Sequence, residues 1–177
     1  KLRGLDPAPG PEMKSTGEVM GSHKNAAAAY LKARMATEIP VPTHGGVYIT
    51  VKDSDKESII SLAKSLKDME FDLYATRGTA AVLRERGGLE VNSAYRIAEQ
   101  GSPDALDLMR DGKIQLIINT PTNSGGAVLD GNMMRRLAVE LNIPFVTTMS
   151  GATMEVQAVA EMIKGLPEPR SLTIGTV

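Results

Sequence analysis

The segment Ile114-Gln-Leu-Ile-Ile118 decides the fold, because all but one of its residues are large and apolar. A strand with one solvent-facing side alternates apolar and polar residues, whereas a nearly continuous apolar strand is typical of a parallel sheet buried on both faces. Parallel strands are joined by crossover connections, which are usually helices. The segment therefore predicts a parallel sheet covered by helices on both sides.

Short apolar segments of the same kind alternate with helical ones along most of the sequence. Ile59, Leu62, Ala63 and Leu66 show the helical spacing of a buried face between two such segments. Five strands are predicted, at residues 47–51, 71–75, 89–91, 114–118 and 144–148. Five β-then-α units predict the α/β class, as a three-layer α/β/α, five-stranded parallel Rossmann-like domain.

Helix starts are predicted from local signals. Ser54-Asp-Lys-Glu57 has the spacing of a capping box. Ser102-Pro103 marks a start because proline fits a first helical turn. Asp130 is predicted to cap a later helix. Further helices are predicted at residues 79–86 and 154–164, with residues 166–177 extended over the surface.

Residues 1–46 differ in composition from the rest of the sequence. Residues 1–20 are rich in Gly and Pro and predict a loop, followed by a helix at residues 25–37. Because the sequence opens with this loop at Lys1, we expect a fragment of a longer protein. Its predicted parts are an appendage at 1–38, a linker at 39–46 and a domain at 47–177, with Ala26, Ala29 and Ala33 forming an exposed docking face.

Composition excludes several classes of function. The 177 residues carry a formal net charge of -1, which gives no broad attraction for nucleic acid or anionic membrane surfaces. There is no cysteine, there are two histidines, and no apolar run is long enough to span a membrane. We therefore expect no metal, no nucleic-acid partner and no membrane partner, and a cytoplasmic location.

The candidate site lies where the predicted strands end, since ligands of open parallel sheets bind outside the carboxyl ends of the strands. Thr76-Arg-Gly-Thr79 offers two hydroxyls, a glycine that permits close approach, and the N–H groups that open a helix. Lys56 lies in a first helical turn, where a nearby anion would favour it. The remaining candidate residues are Arg96, Asn119, Thr120 and Thr122.

Each of these residues also has a purely structural interpretation. Thr79 is equally well explained as a residue that satisfies a backbone donor, and lysines such as Lys56 are mostly solvated. Asn119 can tie down its own loop, and Thr120 is held extended by the following proline. Their joint location at one sheet edge is the evidence for a site.

The segment Gly10-Pro-Glu-Met-Lys-Ser-Thr-Gly-Glu-Val-Met-Gly21 resembles the end of the second ATP-grasp half of carbamoyl phosphate synthetase large subunits. Asp55-Lys56, Ala75-Thr-Arg-Gly-Thr-Ala80 and Ile118-Asn-Thr-Pro121 follow in the order of the regulatory domain of that subunit. The resemblance implies a methylglyoxal synthase-like domain that binds a small effector: uridine monophosphate, inosine monophosphate or N-acetylglutamate.

The resemblance also assigns roles to residues. It implies that Lys56, Thr76 and Thr79 contact phosphate, with Arg96 where a lysine is common. Asn119 and Thr122 would lie near the ring and sugar of the ligand. In the opening segment, Met13 and Glu18 resemble residues that line the internal passage of the enzyme.

For the parent enzyme, the resemblance implies a ligase that makes carbamoyl phosphate from bicarbonate, glutamine-derived ammonia and two ATP, with Mg or Mn, for arginine and pyrimidine biosynthesis. Its partners would be the rest of the large subunit and a glutaminase small subunit, and self-association stays possible. No catalytic step or cofactor is expected in this fragment. Two alternatives stay open: a methylglyoxal synthase-type phosphate lyase, which would need a carboxylate and a histidine, and a structural or oligomerisation domain without effector.

Overall fold

The structure is a computed structural model that describes residues 19–121 and 125–168, with side chains described outside 122–127. Its centre is a sheet of five strands in the order β3-β2-β1-β4-β5, and every pairing between neighbours is parallel. The strands are β1 Gly46–Thr50, β2 Asp72–Thr76, β3 Asn92–Ala94, β4 Ile114–Asn119 and β5 Phe145–Val146. The predicted parallel α/β fold is confirmed.

Helices cover both faces of this sheet. They are α1 Ala26–Met35, α2 Lys56–Asp68, α3 Arg77–Glu85, α4 Ala105–Arg110, α5 Gly125–Glu140 and α6 Met149–Lys164. Val47 and Ile49 of β1 point into the core that contains α2, α3 and α6, while Tyr48 points into the core that contains α4 and α5. This alternation explains why the central strands are apolar on both sides.

The predicted third strand was wrong by three residues, since β3 is Asn92–Ala94 and not 89–91. Leu89 instead completes the end of α3, where its N–H donates to the carbonyl of Leu83 at 3.2 Å. The carbonyl of Val91 accepts from the guanidinium of Arg84, with Nε at 3.1 Å. Leu89 and Val91 therefore make their backbone contacts with α3, and the strand begins only at Asn92.

Several helix starts also differ from prediction. The capping box at Ser54 does not form, because Asp53–Asp55 makes a 3-10 turn in which the Ser54 hydroxyl donates to Asp55 at 3.2 Å. Asp104 caps α4 in place of Ser102, with Asp107 N–H donating to its carboxylate at 2.9 Å. Asp130 lies inside α5, so it does not cap the start of that helix.

Two further helices begin earlier than predicted. The helix α3 starts at Arg77 and not at residue 79. The helix α6 starts at Met149 and not at residue 154, because Thr148 caps it by accepting from the N–H of Gly151 at 3.1 Å.

The helix α1 packs against α6, but through residues other than those of the predicted docking face. Ala27, Ala28 and Leu31 are buried in the contact. On the predicted face, Ala26 is exposed, whereas Ala29 and Ala33 are half-buried. A β-carbon at Gly21 would lie 1.9 Å from the Ala29 carbonyl oxygen. The segment around Gly21 therefore covers part of the predicted docking face, so the prediction of an exposed face is correct for Ala26 and wrong for Ala29 and Ala33.

A buried ion pair between α1 and α6 stabilises this packing. Glu155 of α6 is 1% exposed and accepts hydrogen bonds from the Tyr30 hydroxyl at 2.8 Å and from Arg34 Nε at 3.1 Å. Burial, followed by the charge of Glu155, raises the pKa of Tyr30. The appendage and the sheet domain are thus joined in the structure, and the division of the sequence at 39–46 stays a prediction.

Within residues 19–121 and 125–168, no helix combines the length and the apolar character needed to cross a membrane. The predicted segments at 1–18 and at 169–177, including Met13 and Glu18, lie outside the described residues.

Candidate functional site

A cavity of about 440 Å³ opens at the carboxyl ends of β1 and β4. From β1, the strand order continues to β2 and β3 on one side and to β4 and β5 on the other. The crossover connections therefore leave in opposite directions between β1 and β4. Such a switch point is where open α/β sheets bind ligands. The predicted site residues that line the cavity are Lys56, Thr76, Gly78, Thr79, Arg96, Asn119 and Thr120. The remaining one, Thr122, lies outside the described residues.

Residues 76–79, which begin α3, line the cavity and are called the cradle below. Thr76 precedes the helix, and its side chain does not cap the helix. Its hydroxyl donates to the Thr79 hydroxyl at 3.4 Å, and Thr79 is only 2% exposed. Thr76 therefore does not occupy the first N–H groups of α3, and a helix N-terminus favours a negative charge.

Lys56 brings a positive charge to this cradle. Its ammonium nitrogen lies 3.4 Å from the position that a β-carbon would occupy at Gly78. Lys56 also contacts Asp53, with 2.7 Å between Nζ and Oδ1, and this contact lowers the pKa of the Asp53 carboxyl. The missing side chain at Gly78 thus leaves room for the lysine and a ligand to meet over the helix start.

The rim beside the start of α3 is the 3-10 turn Ile97–Glu99, which follows Arg96. The backbone N–H of Arg96 donates to Glu99 at 3.0 Å, and Arg77 contacts the same carboxylate at 2.6 Å. These two contacts lower the pKa of Glu99. The Arg77 guanidinium also lies 5.4 Å from the ring centre of Tyr95. The rim therefore connects the start of α3 to the segment that carries Arg96.

The inner wall offers buried polar atoms. Asn119 is 7% exposed, and among the described residues its Oδ1 has no hydrogen-bond partner. That oxygen lies 3.4 Å from the position of a β-carbon at Gly131, so the glycine lets α5 approach. Thr120, in contrast, has a hydrogen-bond partner, because its hydroxyl accepts from the N–H of Lys52 at 3.0 Å. Thr120 shapes the loop, while Asn119 presents an acceptor that has no donor among the described residues.

Sequence reasoning missed two residues of this wall, Tyr48 and Asp130. Burial raises the pKa of Asp130, and burial together with the charge of Asp130 raises the pKa of Tyr48. The position of Tyr48 two residues before Thr50 was a usable signal, since residues i and i+2 of a strand face the same side. Asp130 gave a signal as an acid among apolar residues of α5, but its position was interpreted as a cap.

The lining of the cavity carries a small excess of positive charge. Among the described residues, four cations and three carboxylates line it: Lys52, Lys56, Arg77, Arg96, Asp53, Glu99 and Asp130. Three of the cations form ion pairs, Lys52 with Asp55, Lys56 with Asp53 and Arg77 with Glu99. His23 and His44, the two histidines of the sequence, do not line this cavity.

Comparison with known proteins places these features in a family. A family model described as the MGS-like domain matches residues 58–147. A methylglyoxal synthase from Elizabethkingia anophelis superposes with a TM-score of 0.54 over 76% of this protein and 97% of that one; at 14% identity this shows the fold alone.

Curated relatives match over most of the sequence. The C-terminal sections of the carbamoyl phosphate synthase large chains of Methanopyrus kandleri and Methanocaldococcus jannaschii are each 46% identical over 93% of it. The carbamoyl phosphate synthase large chain of Methanosarcina barkeri is 39% identical over the same share. The protein spans 30%, 26% and 41% of the lengths of these three relatives. From the matched domain and the sheet that carries it, the protein belongs to the family of MGS-like domains.

Proposed function

We propose that this protein is the effector-binding part of a carbamoyl phosphate synthase large chain and that its cavity binds a nucleoside monophosphate. The observation that carries the proposal is the meeting of Lys56 with the start of α3 across Gly78, at the switch point of the sheet. A phosphate there would accept from helix N–H groups, from Thr76 and Thr79, and from an ammonium.

The rest of the cavity suits the remainder of such a ligand. Its volume of about 440 Å³ lies within the range of small-molecule pockets. The Asn119 Oδ1 atom, which has no partner within the part of the protein that the structure describes, would accept a hydrogen bond from the ring or the sugar of the ligand. Uridine and inosine monophosphates combine these donors with a phosphate, whereas N-acetylglutamate would place a carboxylate in the cradle. Thr122, on the loop after β4, is proposed to lie beside the same part of the ligand.

The proposed role of the protein is regulatory. The parent protein would be a glutamine-dependent ligase that uses ATP with Mg or Mn, together with a small glutaminase subunit, in arginine and pyrimidine biosynthesis in the cytoplasm. An effector that prefers one state of that protein changes its substrate affinity through a coupling of about 1 to 3 kcal/mol. The fragment itself would perform no chemical step, including formation of methylglyoxal, for which neither histidine is near the cavity.

A thermal-shift panel tests this proposal, with uridine monophosphate, inosine monophosphate, N-acetylglutamate, ornithine and dihydroxyacetone phosphate. A ligand that binds only the native state at a hundredfold excess over Kd adds about 2.7 kcal/mol. In a domain of this size that raises Tm by roughly 5 to 10 °C. Uridine without phosphate is the control, and we expect it to give a much smaller shift.

Two outcomes would contradict the proposal. If no compound of the panel raises Tm, the cavity is not an effector site for these ligands. If uridine raises Tm as much as uridine monophosphate, the phosphate makes no contact with the cradle. Release of methylglyoxal from dihydroxyacetone phosphate would favour the lyase alternative.

A further inference from the structure

The ammonium of Lys56 already has an anionic partner before any ligand arrives. Asp53, three residues earlier in the sequence, lies 2.7 Å from it, and both residues line the cavity. The Asp53 side chain is 94% exposed, whereas that of Lys56 is 24% exposed. The carboxylate thus stands at the solvent edge of the cavity, while the ammonium lies further in.

A phosphate bound at the start of α3 would come close to this carboxylate. A phosphate oxygen that accepts from Lys56 lies about 2.8 Å from Nζ. Since Asp53 Oδ1 is 2.7 Å from the same nitrogen, the two oxygens would be no more than about 5.5 Å apart. Asp53 and the phosphate of the ligand would therefore both contact the ammonium of Lys56.

Asp53 has two opposing effects on ligand affinity. It restrains Lys56, which lowers the entropy lost when the lysine binds a ligand, but an exposed ion pair restrains its partners weakly. It also repels the phosphate, whose charge is about -1.5 to -2 at neutral pH. At about 5 Å in water and physiological salt, this repulsion weakens binding by roughly threefold to fivefold, so the repulsion outweighs the restraint.

We propose that Asp53 is an affinity-tuning residue that competes with the phosphate of the ligand for the ammonium of Lys56. This inference rests on the proposed placement of the phosphate. Because the repulsion grows with ligand charge, Asp53 disfavours a dianionic phosphate more than a single carboxylate. It thereby lowers the affinity for nucleotides relative to ligands that carry a single carboxylate.

Calorimetry with uridine monophosphate and with inorganic phosphate tests the inference, on the parent protein and on Asp53→Asn. The exposure of Asp53 means that this variant keeps the fold. We expect Asp53→Asn to bind both ligands about threefold to fivefold more tightly at 0.15 M salt, with the gain shrinking at 1 M salt. In a Lys56→Met background the gain from Asp53→Asn should be smaller, because Lys56 no longer holds the carboxylate and the phosphate close together.

Glu57→Gln is the matched control, since it removes one charge from the next turn of the same segment. Glu57 pairs with Arg86 at 2.7 Å and does not line the cavity. We expect its Kd to stay within about twofold of the parent, because its charge is exposed and screened.

The outcomes separate this inference from the proposed function. If the parent binds either ligand and Asp53→Asn binds it equally or more weakly, Asp53 does not compete and the inference is wrong. An equal gain from Glu57→Gln would contradict it too, because the effect would then be one of overall charge. If the parent binds neither ligand, the phosphate site itself is wrong and the inference falls with it.

Discussion

Replacing Glu155 by Gln should release α1 from the rest of the domain. The substitution keeps the size of the side group but removes the charge that pairs with Arg34, and Glu155 is 1% exposed. Breaking a buried ion pair by removing one partner costs about 3 to 5 kcal/mol. Arg34 keeps hydrogen bonds to Thr37 at 3.1 Å and to the Pro40 carbonyl at 3.3 Å, which favours the lower end, about 3 kcal/mol.

This cost is a large share of the stability of a typical domain, which is about 5 to 15 kcal/mol. The sheet should therefore stay folded while α1 loses protection first. Urea unfolding measures the free energy, and hydrogen exchange of the α1 amides measures the local release.

The control for this experiment is Glu161→Gln in the same helix. Glu161 pairs with Lys164 at 2.9 Å in an exposed position, and such pairs contribute about 0 to 1 kcal/mol. If Glu155→Gln changes the free energy of unfolding no more than Glu161→Gln does, and α1 stays protected, the buried contact does not hold α1 in place.

Two further substitutions have expected outcomes. Gly78→Ala should keep or slightly raise the free energy of unfolding, since alanine favours a helix over glycine by up to about 1 kcal/mol. It should weaken phosphate binding, measured by calorimetry, because its methyl group enters the space beside Lys56. Unchanged affinity would mean that the ligand binds elsewhere. Asp107→Asn should reduce the loss of stability in acid, because hydrogen bonds from Asp104 N–H and Ser102 lower the pKa of Asp107 below its usual 3.8. That stabilisation is present above pH 3.8 and is lost as pH falls through the lower folded-state pKa, so pH-dependent urea unfolding of parent and variant should converge in strong acid.

The sequence predicted the fold class correctly because the pattern of β4 admits few structures. A continuous apolar strand needs cover on both faces, and the core on each side of Ile117 and Ile118 supplies it. The error at β3 came from apolar residues that close a helix end instead of pairing. Hydrophobicity alone does not separate these two uses, since Leu89 packs against the core in either case.

The meeting of the candidate residues in one cavity was predicted as far as it depends on strand ends. Lys56, Thr76 and Asn119 meet because parallel strands bring their carboxyl ends to one edge, which is a property of the fold. Tyr48 and Asp130 were missed because their roles depend on how closely α5 approaches the sheet. Strand alternation at Tyr48 and the acid within α5 were local signals, but the approach of α5 that brings Asp130 to the cavity is set by tertiary packing.

Calorimetric titration of uridine monophosphate into Thr79→Val and Lys56→Met tests the central claim most directly. Thr79→Val keeps the shape of a buried residue and deletes a hydrogen bond to a charged group, which costs roughly ten- to a hundredfold in Kd. Lys56→Met should weaken binding and flatten its salt dependence. The controls Thr43→Val and Lys64→Met make the same changes at exposed positions outside the cavity and should bind as the parent does. If the two site variants remain folded and bind as tightly as the parent, the phosphate does not lie at the start of α3 and the proposed site is wrong.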